Sequence, residues 1–430
     1  MPVDIADIEA IVAAQEAWRG SKTINLIASE NAPSAAVRRI QDSDFMGRYA
    51  EGHPNRGDEV TRYYQGTRFI DEIETMAREE LLALTRCRQA DVRPISGNAA
   101  NTAVALGYLR GGDTVIVNST PAGGHISHGS VGVIGRRIQS RGFSLSLDAA
   151  KPIPLHFFPM TEDGYHLDVA GSIELIERVS PRLIILGKSL FLFPEPVQEL
   201  AAACREKDIP ILYDAAHVFG LITGGEFQDP WREGATWATA STHKTFPGPQ
   251  RGVIVADLDA EAEARFWPAA DRGVFPGSSS NHHLHSLPAL LVAIREMREH
   301  APAYARATVR NAQALGQALE DEGIAVEARE FGFTRSHQIA VNVSEYGGGV
   351  TVARRLEDND VIVNYNLLPR DTDPRNPSGL RIGVQEMTRY GMGEAEMKRL
   401  AELLAAAIKS KAVKAEVNAL RAAFPELHYV

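Results

Sequence analysis

The chain has 430 residues, with Lys+Arg 45 against Asp+Glu 55 and a formal net charge of −10. That acidic balance argues against nonspecific nucleic-acid binding, and no window of about 18 apolar residues offers a membrane span. Cys87 and Cys204 lack metal-ligand spacing, and the acidic N-terminus lacks the basic start of a signal peptide, so a reduced, cytoplasmic setting is expected. In chain order, Ile5–Trp18 has helical apolar spacing, Asn25–Asn31 reads as a loop and Ser34–Phe45 as helix. Ile70–Thr85 is an amphipathic helix. Beyond it, short β-rich runs alternate with helical ones. The predicted strands are Val92–Ile95, Thr114–Val117, Ile153–Phe157, Leu183–Leu186, Ile209–Tyr213, Thr236–Ala240 and Gly252–Ala256. Between them lie helices at Asn101–Leu109, Ala170–Val179 and Pro196–Lys207. This alternation predicts an α/β unit with its sheet buried on both faces and ligands outside the strand ends. A long helix from Leu287 towards Gly323 leads into a smaller α+β unit, which ends in helices Glu394–Lys409 and Ala412–Ala423. The expected domains are a helical arm over 1–45, a large domain over 46–290 and a small domain over 291–430.

Chemistry concentrates at the predicted strand ends. Lys244 lies in Ser241-Thr242-His243-Lys244-Thr245, directly after a strand. A lysine there can form a Schiff base with an aldehyde cofactor, although a single lysine is more often a surface residue. Upstream, Ile211-Leu212-Tyr213-Asp214 is an apolar strand ending in a carboxylate. Such a carboxylate can hold a pyridine nitrogen protonated, or simply cap the next helix. Asp and Lys on successive strand ends suit a pyridoxal-phosphate site. Ser96-Gly97-Asn98 opens a helix whose N–H groups favour phosphate. Gly123-Gly124-His125 with Ser127-His128 is a compact turn, whose histidine can stack on a planar ring or be an ordinary loop residue.

The ordered set of motifs resembles serine hydroxymethyltransferase, from Asn25 to about Lys409. It comprises Asn25-Leu26-Ile27-Ala28-Ser29-Glu30-Asn31, Tyr49-Ala50-Glu51-Gly52, Arg62-Tyr63-Tyr64-Gln65-Gly66, Gly123-Gly124-His125, Asp214-Ala215-Ala216-His217, Thr242-His243-Lys244-Thr245, Val274-Phe275-Pro276-Gly277 and Ser378-Gly379-Leu380-Arg381-Ile382-Gly383. Other details, such as Ser280-Asn281-His282-His283, look like the archaeal branch of that family. The resemblance implies a fold-type I, aspartate-aminotransferase-like α/β enzyme with a mostly parallel sheet and a smaller C-terminal α+β domain. It implies a homodimer, or a dimer of dimers, with shared active sites. Lys244 would carry pyridoxal 5'-phosphate, Asp214 would pair with the pyridine nitrogen, and His125 would stack on the ring. Ser189 and His217 would lie near the phenolic oxygen. Ser96, Gly97, Asn98 and His243 would hold the phosphate, with Tyr49, Ser280 and Asn281 approaching from the second subunit. Arg381, Ser29 and Tyr64 would grip the substrate carboxylate, with His217 nearby. Glu51 would exchange the proton of a β-hydroxyl.

The chain also departs from the family pattern. Extra residues Gly57-Asp58-Glu59-Val60-Thr61 follow the Glu51 motif, Thr120 replaces a leucine of the pterin pocket, and Tyr365 replaces a lysine near the carrier site. Asn98 stands at a position where a phosphate-binding serine is frequent. The cofactor residues are intact, and the changes gather where a carrier would bind. Three activities fit this pattern. One is hydroxymethyl transfer between serine and glycine with a tetrahydrofolate or tetrahydromethanopterin carrier. The second is a carrier-free aldolase or transaldolase acting on a β-hydroxy amino acid. The third is a C–S lyase or decarboxylating deaminase of the lincosamide-pathway type. No metal is called for.

Overall fold

The computed structural model describes residues 3–55, 59–129, 132–134 and 153–430. Gly57 and Asp58 of the extra segment therefore lie outside the described residues. The chain forms two compact units, Asn31–Ala305 and Met1–Glu30 with Arg306–Val430. Residues 1–30 thus group with the C-terminal segment, and the helix Ser286–Asp321 contributes to both units.

The larger unit is built on a seven-stranded sheet. Across it, the order is Gln89–Asp91, Gly252–Ala256, Trp237–Ser241, Ile211–Asp214, Leu183–Leu186, Val115–Val117 and Leu155–Phe157. The pairs from Trp237–Ser241 to Leu155–Phe157 are parallel, and Gly252–Ala256 runs antiparallel to both its neighbours. All five inner strands are buried at every residue, as the unbroken apolar runs predict for a sheet covered on both faces. Val115, Val117, Leu183, Ile185, Leu212, Trp237 and Ile254 share one core with the helices Gly97–Tyr108 and Ala260–Arg272. Those helices touch closely. A Cβ on Gly107 would fall 1.8 Å from Ala269 O, so no other residue fits there without moving the backbone. In register, Asp214 lies opposite Thr239 and Ser241 opposite Gly252, which puts the ends of the Asp214 and Lys244 strands side by side.

The smaller unit has a three-stranded antiparallel sheet, ordered Asn364–Asn366, Gly379–Gly383, Gln338–Asn342. Its core includes Ile24, Leu26, Val341, Ile382, Leu400 and Leu404. A two-residue parallel pairing of Ile24–Asn25 with Val361–Ile362 ties the N-terminal segment into this unit. Cys87 and Cys204 are free, buried thiols, with burial pushing them up to about 11 and about 12. Among the described residues no helix is long and apolar enough to cross a membrane.

Candidate active site

Asp214 ends its strand fully enclosed. Its Oδ2 accepts from Asn101 Nδ2 at 2.7 Å and lies 3.0 Å from His128 Nε2. Its Oδ1 accepts from the Ala216 N–H at 3.0 Å. Thr239, the register partner of Asp214, donates its hydroxyl to Asn101 Oδ1, which turns the amide so that its NH2 faces the carboxylate. Burial opposes ionisation, but His128, the charges of His125 and Lys244, and the His128 hydrogen bond together hold the Asp214 carboxyl well below the usual carboxylate range. A carboxylate offers about four acceptor positions. Among the described residues three are filled, which leaves one for an incoming N–H. His125, His128 and Asp214 also bring ligating atoms within 4.8 Å of one another, and within this group His128 is hydrogen-bonded to Asp214.

Sequence reasoning missed Asn101 and His128 as partners of Asp214. The one signal was a polar Asn inside a helix of small residues.

Lys244 sits in a closed turn after Trp237–Ser241. Thr242 Oγ1 donates to Pro249 O at 2.7 Å, Gly248 N donates to Thr242 O at 2.8 Å, and Asn31 Nδ2 donates to Lys244 O at 2.6 Å. Thr245 Oγ1 donates to His217 O at 2.7 Å, fixing the Lys244 turn against the segment after Asp214. A second buried lysine, Lys188, also follows a strand. Its ammonium is engaged by Glu195 at 3.3 Å and by Tyr165 O at 2.8 Å. The Ser189 N–H donates to Gly123 O at 2.6 Å, which brings Ser189 beside the His125 turn. In that turn His125 Nδ1 lies 2.6 Å from Ser127 Oγ.

A helix N-terminus lies at the end of the Lys244 strand. Ser96 caps the helix Gly97–Tyr108 by accepting from Ala99 N at 3.0 Å. A Cβ at Gly97 would come 2.3 Å from Ser241 Oγ, so the helix start lies directly on the end of the Lys244 strand. Among the described residues His243 Nδ1 is buried without a hydrogen-bond partner, while the ring also meets the Arg251 backbone. Burial first, and then the charge of Lys244, pushes the His243 imidazole down to about 4, so it is neutral near pH 7. A buried ring nitrogen of this kind, two residues beyond the Ser241 that meets Gly97, fits a phosphate oxygen. The chain's own residues therefore fit pyridoxal phosphate at both its ring nitrogen and its phosphate.

A second group lies in the same unit. The rings of Tyr49 and Tyr64 are 5.4 Å apart between centroids. The Tyr64 hydroxyl is raised by burial and by its hydrogen bond and charge contact with Glu51. Asn281 joins this group by accepting from Ala50 N at 3.2 Å and donating to Arg48 O at 2.7 Å. Tyr49, Glu51, Tyr64 and Asn281 thus travel together.

The extra segment leaves this loop tied. Asn55 Oδ1 accepts from Thr61 N at 2.9 Å and Arg62 N at 3.1 Å, closing the two ends of the segment on one side chain.

Behind the loop runs a buried ion network that sequence reasoning missed, since Arg62 pairs across a loop-to-helix junction with no fixed spacing and His282 joins from far along the chain. Arg62 bridges Asp71 and Glu74, and His282 Nε2 lies 3.0 Å from Glu74. Burial works against the Glu74 charge, but His282 and Arg62 outweigh it and hold the carboxyl at about 2, below its ordinary 4.5. Its stabilising contribution is therefore complete above about pH 4.5 and is lost as the pH falls towards 2. Glu74→Gln is expected to flatten the pH dependence of unfolding free energy between these limits, measured by denaturant titration at several pH values. An unchanged slope would show that Glu74 is not the titrating group.

Ser29 and Arg381 belong to the smaller unit. Gly383 N donates to Leu26 O at 2.8 Å, and Gln385 Nε2 donates to Ile27 O and Glu30 O at 2.8 and 2.6 Å. These bonds hold the Ser29 turn against the strand that carries Arg381. Arg381 Nε donates to Asn364 Oδ1 at 3.2 Å, and burial pulls the guanidinium down to about 10. An incoming carboxylate would reverse that shift and bind by two oxygens.

The family model described as serine hydroxymethyltransferase matches residues 3–404. The serine hydroxymethyltransferase of Saccharolobus islandicus (strain M.14.25 / Kamchatka #1) is 43% identical over 435 residues, covering 100% of this chain and 95% of the relative. That of Pyrobaculum neutrophilum is 43% identical over 432 residues, with the same coverage. Among solved structures, L-threonine transaldolase from Pseudomonas fluorescens, in its internal aldimine state, superposes with a TM-score of 0.86 at 26% identity. The match covers 99% of this chain and 93% of that one. With its seven-stranded sheet and its buried Asp214 at a strand end beside the Lys244 strand, the chain belongs to the serine hydroxymethyltransferase family of fold-type I pyridoxal-phosphate enzymes.

Proposed function

We propose that this enzyme breaks and forms the Cα–Cβ bond of a β-hydroxy amino acid, with serine and glycine as the central pair and a pterin as the one-carbon carrier. Pyridoxal phosphate, when bound, supplies an electron sink for the charge left on Cα. Lys244 is the residue that would hold it covalently. Asp214, fixed by Asn101 and His128, would keep the ring nitrogen protonated, and His125, Ser189 and His217 would border the ring. Ser96, Gly97, Asn98 and His243 would receive the phosphate. Arg381 with Ser29 would bind the substrate carboxylate, and Glu51 would take the β-hydroxyl proton.

The observation that carries the aldol reading is the pairing of Glu51 with Tyr64 beside Tyr49. A carboxylate so placed has no task in C–S cleavage or decarboxylation, because those substrates bring no β-hydroxyl. The structural likeness to a threonine transaldolase favours one second reading, transfer to an aldehyde without a carrier. Incubation with L-serine, L-threonine and S-alkyl cysteines, with and without a pterin carrier, separates the readings by product analysis. Carrier-dependent glycine formation from serine supports the first. Carrier-independent cleavage of threonine supports the second, and thiol release would overturn both.

The assembly proposed is a homodimer. No residue of the helix Ile5–Ser21 is buried, with Val3, Ile5, Ile8, Ile11 and Val12 exposed in the smaller unit, and Tyr49, Tyr64 and Phe69 are exposed in the larger one. Such apolar exposure calls for a partner surface, and a second copy would cover it. Since Tyr49, Glu51, Tyr64 and Asn281 form one group, a Tyr49 that serves the neighbouring subunit brings Glu51 with it. Sedimentation is expected to show a dimer or dimer of dimers. A fully active monomer would overturn the shared site.

A further inference from the structure

Glu51 is flanked by two carbonyl groups that a single buried guanidinium holds. Arg62 Nη1 donates to Ala50 O at 2.6 Å and to Gly52 O at 3.0 Å. Its other face is fixed, with Nε donating to Asp71 Oδ1 at 2.8 Å and Nη2 to Glu74 Oε2 at 2.7 Å. The Arg62 side chain is 0% exposed. Arg93, itself paired with Asp91 and Asp271, reaches the same Gly52 O at 3.4 Å. Gly52 has φ +91°, and a Cβ there would come 2.5 Å from Thr61 O, so the backbone passes Thr61 in a form that only glycine takes easily. Ala50 is buried with Ile70 and Leu284.

A charge pair alone would need only one cation near Asp71 and Glu74. The fork that reaches back to both sides of Glu51 is an additional feature, and only a guanidinium has the planar donors to make it.

We propose that Arg62 is a positioning residue for Glu51. It transmits the rigidity of the Asp71–Glu74 carboxylates to the peptide units on either side of the catalytic base, so that the carboxylate meets the β-hydroxyl in one orientation. The proposal rests on the reading of Glu51 as that base. An Arg62→Lys side chain keeps a positive charge for the two carboxylates but cannot grip both carbonyls.

The test uses the holoenzyme as wild type, Arg62→Lys, Glu51→Gln and the double variant. Three quantities are read: cleavage of L-threonine, exchange of the glycine α-proton, and amide hydrogen exchange over residues 49–55. Glycine has no β-hydroxyl, so its exchange does not need Glu51. In Arg62→Lys, kcat for cleavage is expected to fall roughly 10–100-fold, the scale of a small misplacement of a catalytic group, with KM and glycine exchange within about threefold. Amides 49–55 should exchange about tenfold faster or more. The double variant should cleave no more slowly than Glu51→Gln alone, because a misplaced base that is already absent costs nothing further.

Equal loss of cleavage and glycine exchange would mean that Arg62 supports the fold only, and would overturn the proposal. So would losses that multiply in the double variant, or an Arg62→Lys enzyme with full cleavage while Glu51→Gln is slow. Full cleavage by Glu51→Gln would remove the base itself, and the proposal would fall with that reading. Should Arg62→Lys fail to fold, Glu74→Gln, which loosens Arg62 from behind, is read by the same criteria.

Discussion

Lys244→Ala protein is expected to contain no pyridoxal phosphate that borohydride can fix to the chain, and to turn over no β-hydroxy amino acid above background. Lys244 lies on a turn closed by Thr242, Gly248 and Asn31, at the end of the strand adjoining Asp214. The competing buried lysine, Lys188, is held by Glu195 and Tyr165 and has little freedom to attack an aldehyde. The variant should still bind the cofactor noncovalently, because the Asp214 and phosphate contacts remain. Peptide mapping after reduction of the wild-type protein checks the assignment. A label on Lys188, or retained reducible cofactor in Lys244→Ala, would move the site.

Glu51→Gln is the second large effect. Turnover in retro-aldol cleavage should fall roughly 10²–10⁴-fold, the usual scale for losing a general acid–base. Cofactor content and affinity for the amino acid should change little, since the groups proposed for those tasks are elsewhere. The amide keeps the size and one oxygen of the carboxylate, so Tyr64 still has an acceptor. Single-turnover cleavage measured beside the absorbance change on glycine binding separates chemistry from binding. Full retention of activity would favour a reaction that has no hydroxyl to deprotonate.

The sequence reveals the elements that rest on one kind of signal. Leu183–Leu186 and Gly252–Ala256 are found at the expected residues because a buried strand is apolar throughout. Gln89–Asp91, in contrast, forms the edge strand where Val92–Ile95 was predicted. Its polar residues are satisfied, Gln89 by the distant Leu258 backbone and Asp91 by the neighbouring Arg93. The predicted helix Ser34–Phe45 ends at Arg39, and a short 3-10 turn over Asp44–Gly47 follows. The intervening Gln41-Asp42-Ser43 run competes with helix by local hydrogen bonding. At the site, Lys244 and Asp214 were legible because each ends a strand. The partners that set the Asp214 charge, Asn101 and His128, were not. Neither was the Arg62 network, since register and helix packing, rather than spacing along the chain, bring such groups together.

The Asn55 staple has a wider consequence. One side chain closes the base of the segment that departs after Pro54 and returns at Thr61. Whatever length of chain lies between, its ends meet at the same place, and each doubling of such a loop costs only about 0.6 kcal/mol in closure entropy. The base of this segment is therefore a graft point, where chain of another length can be exchanged while the Arg62 turn after it stays in register.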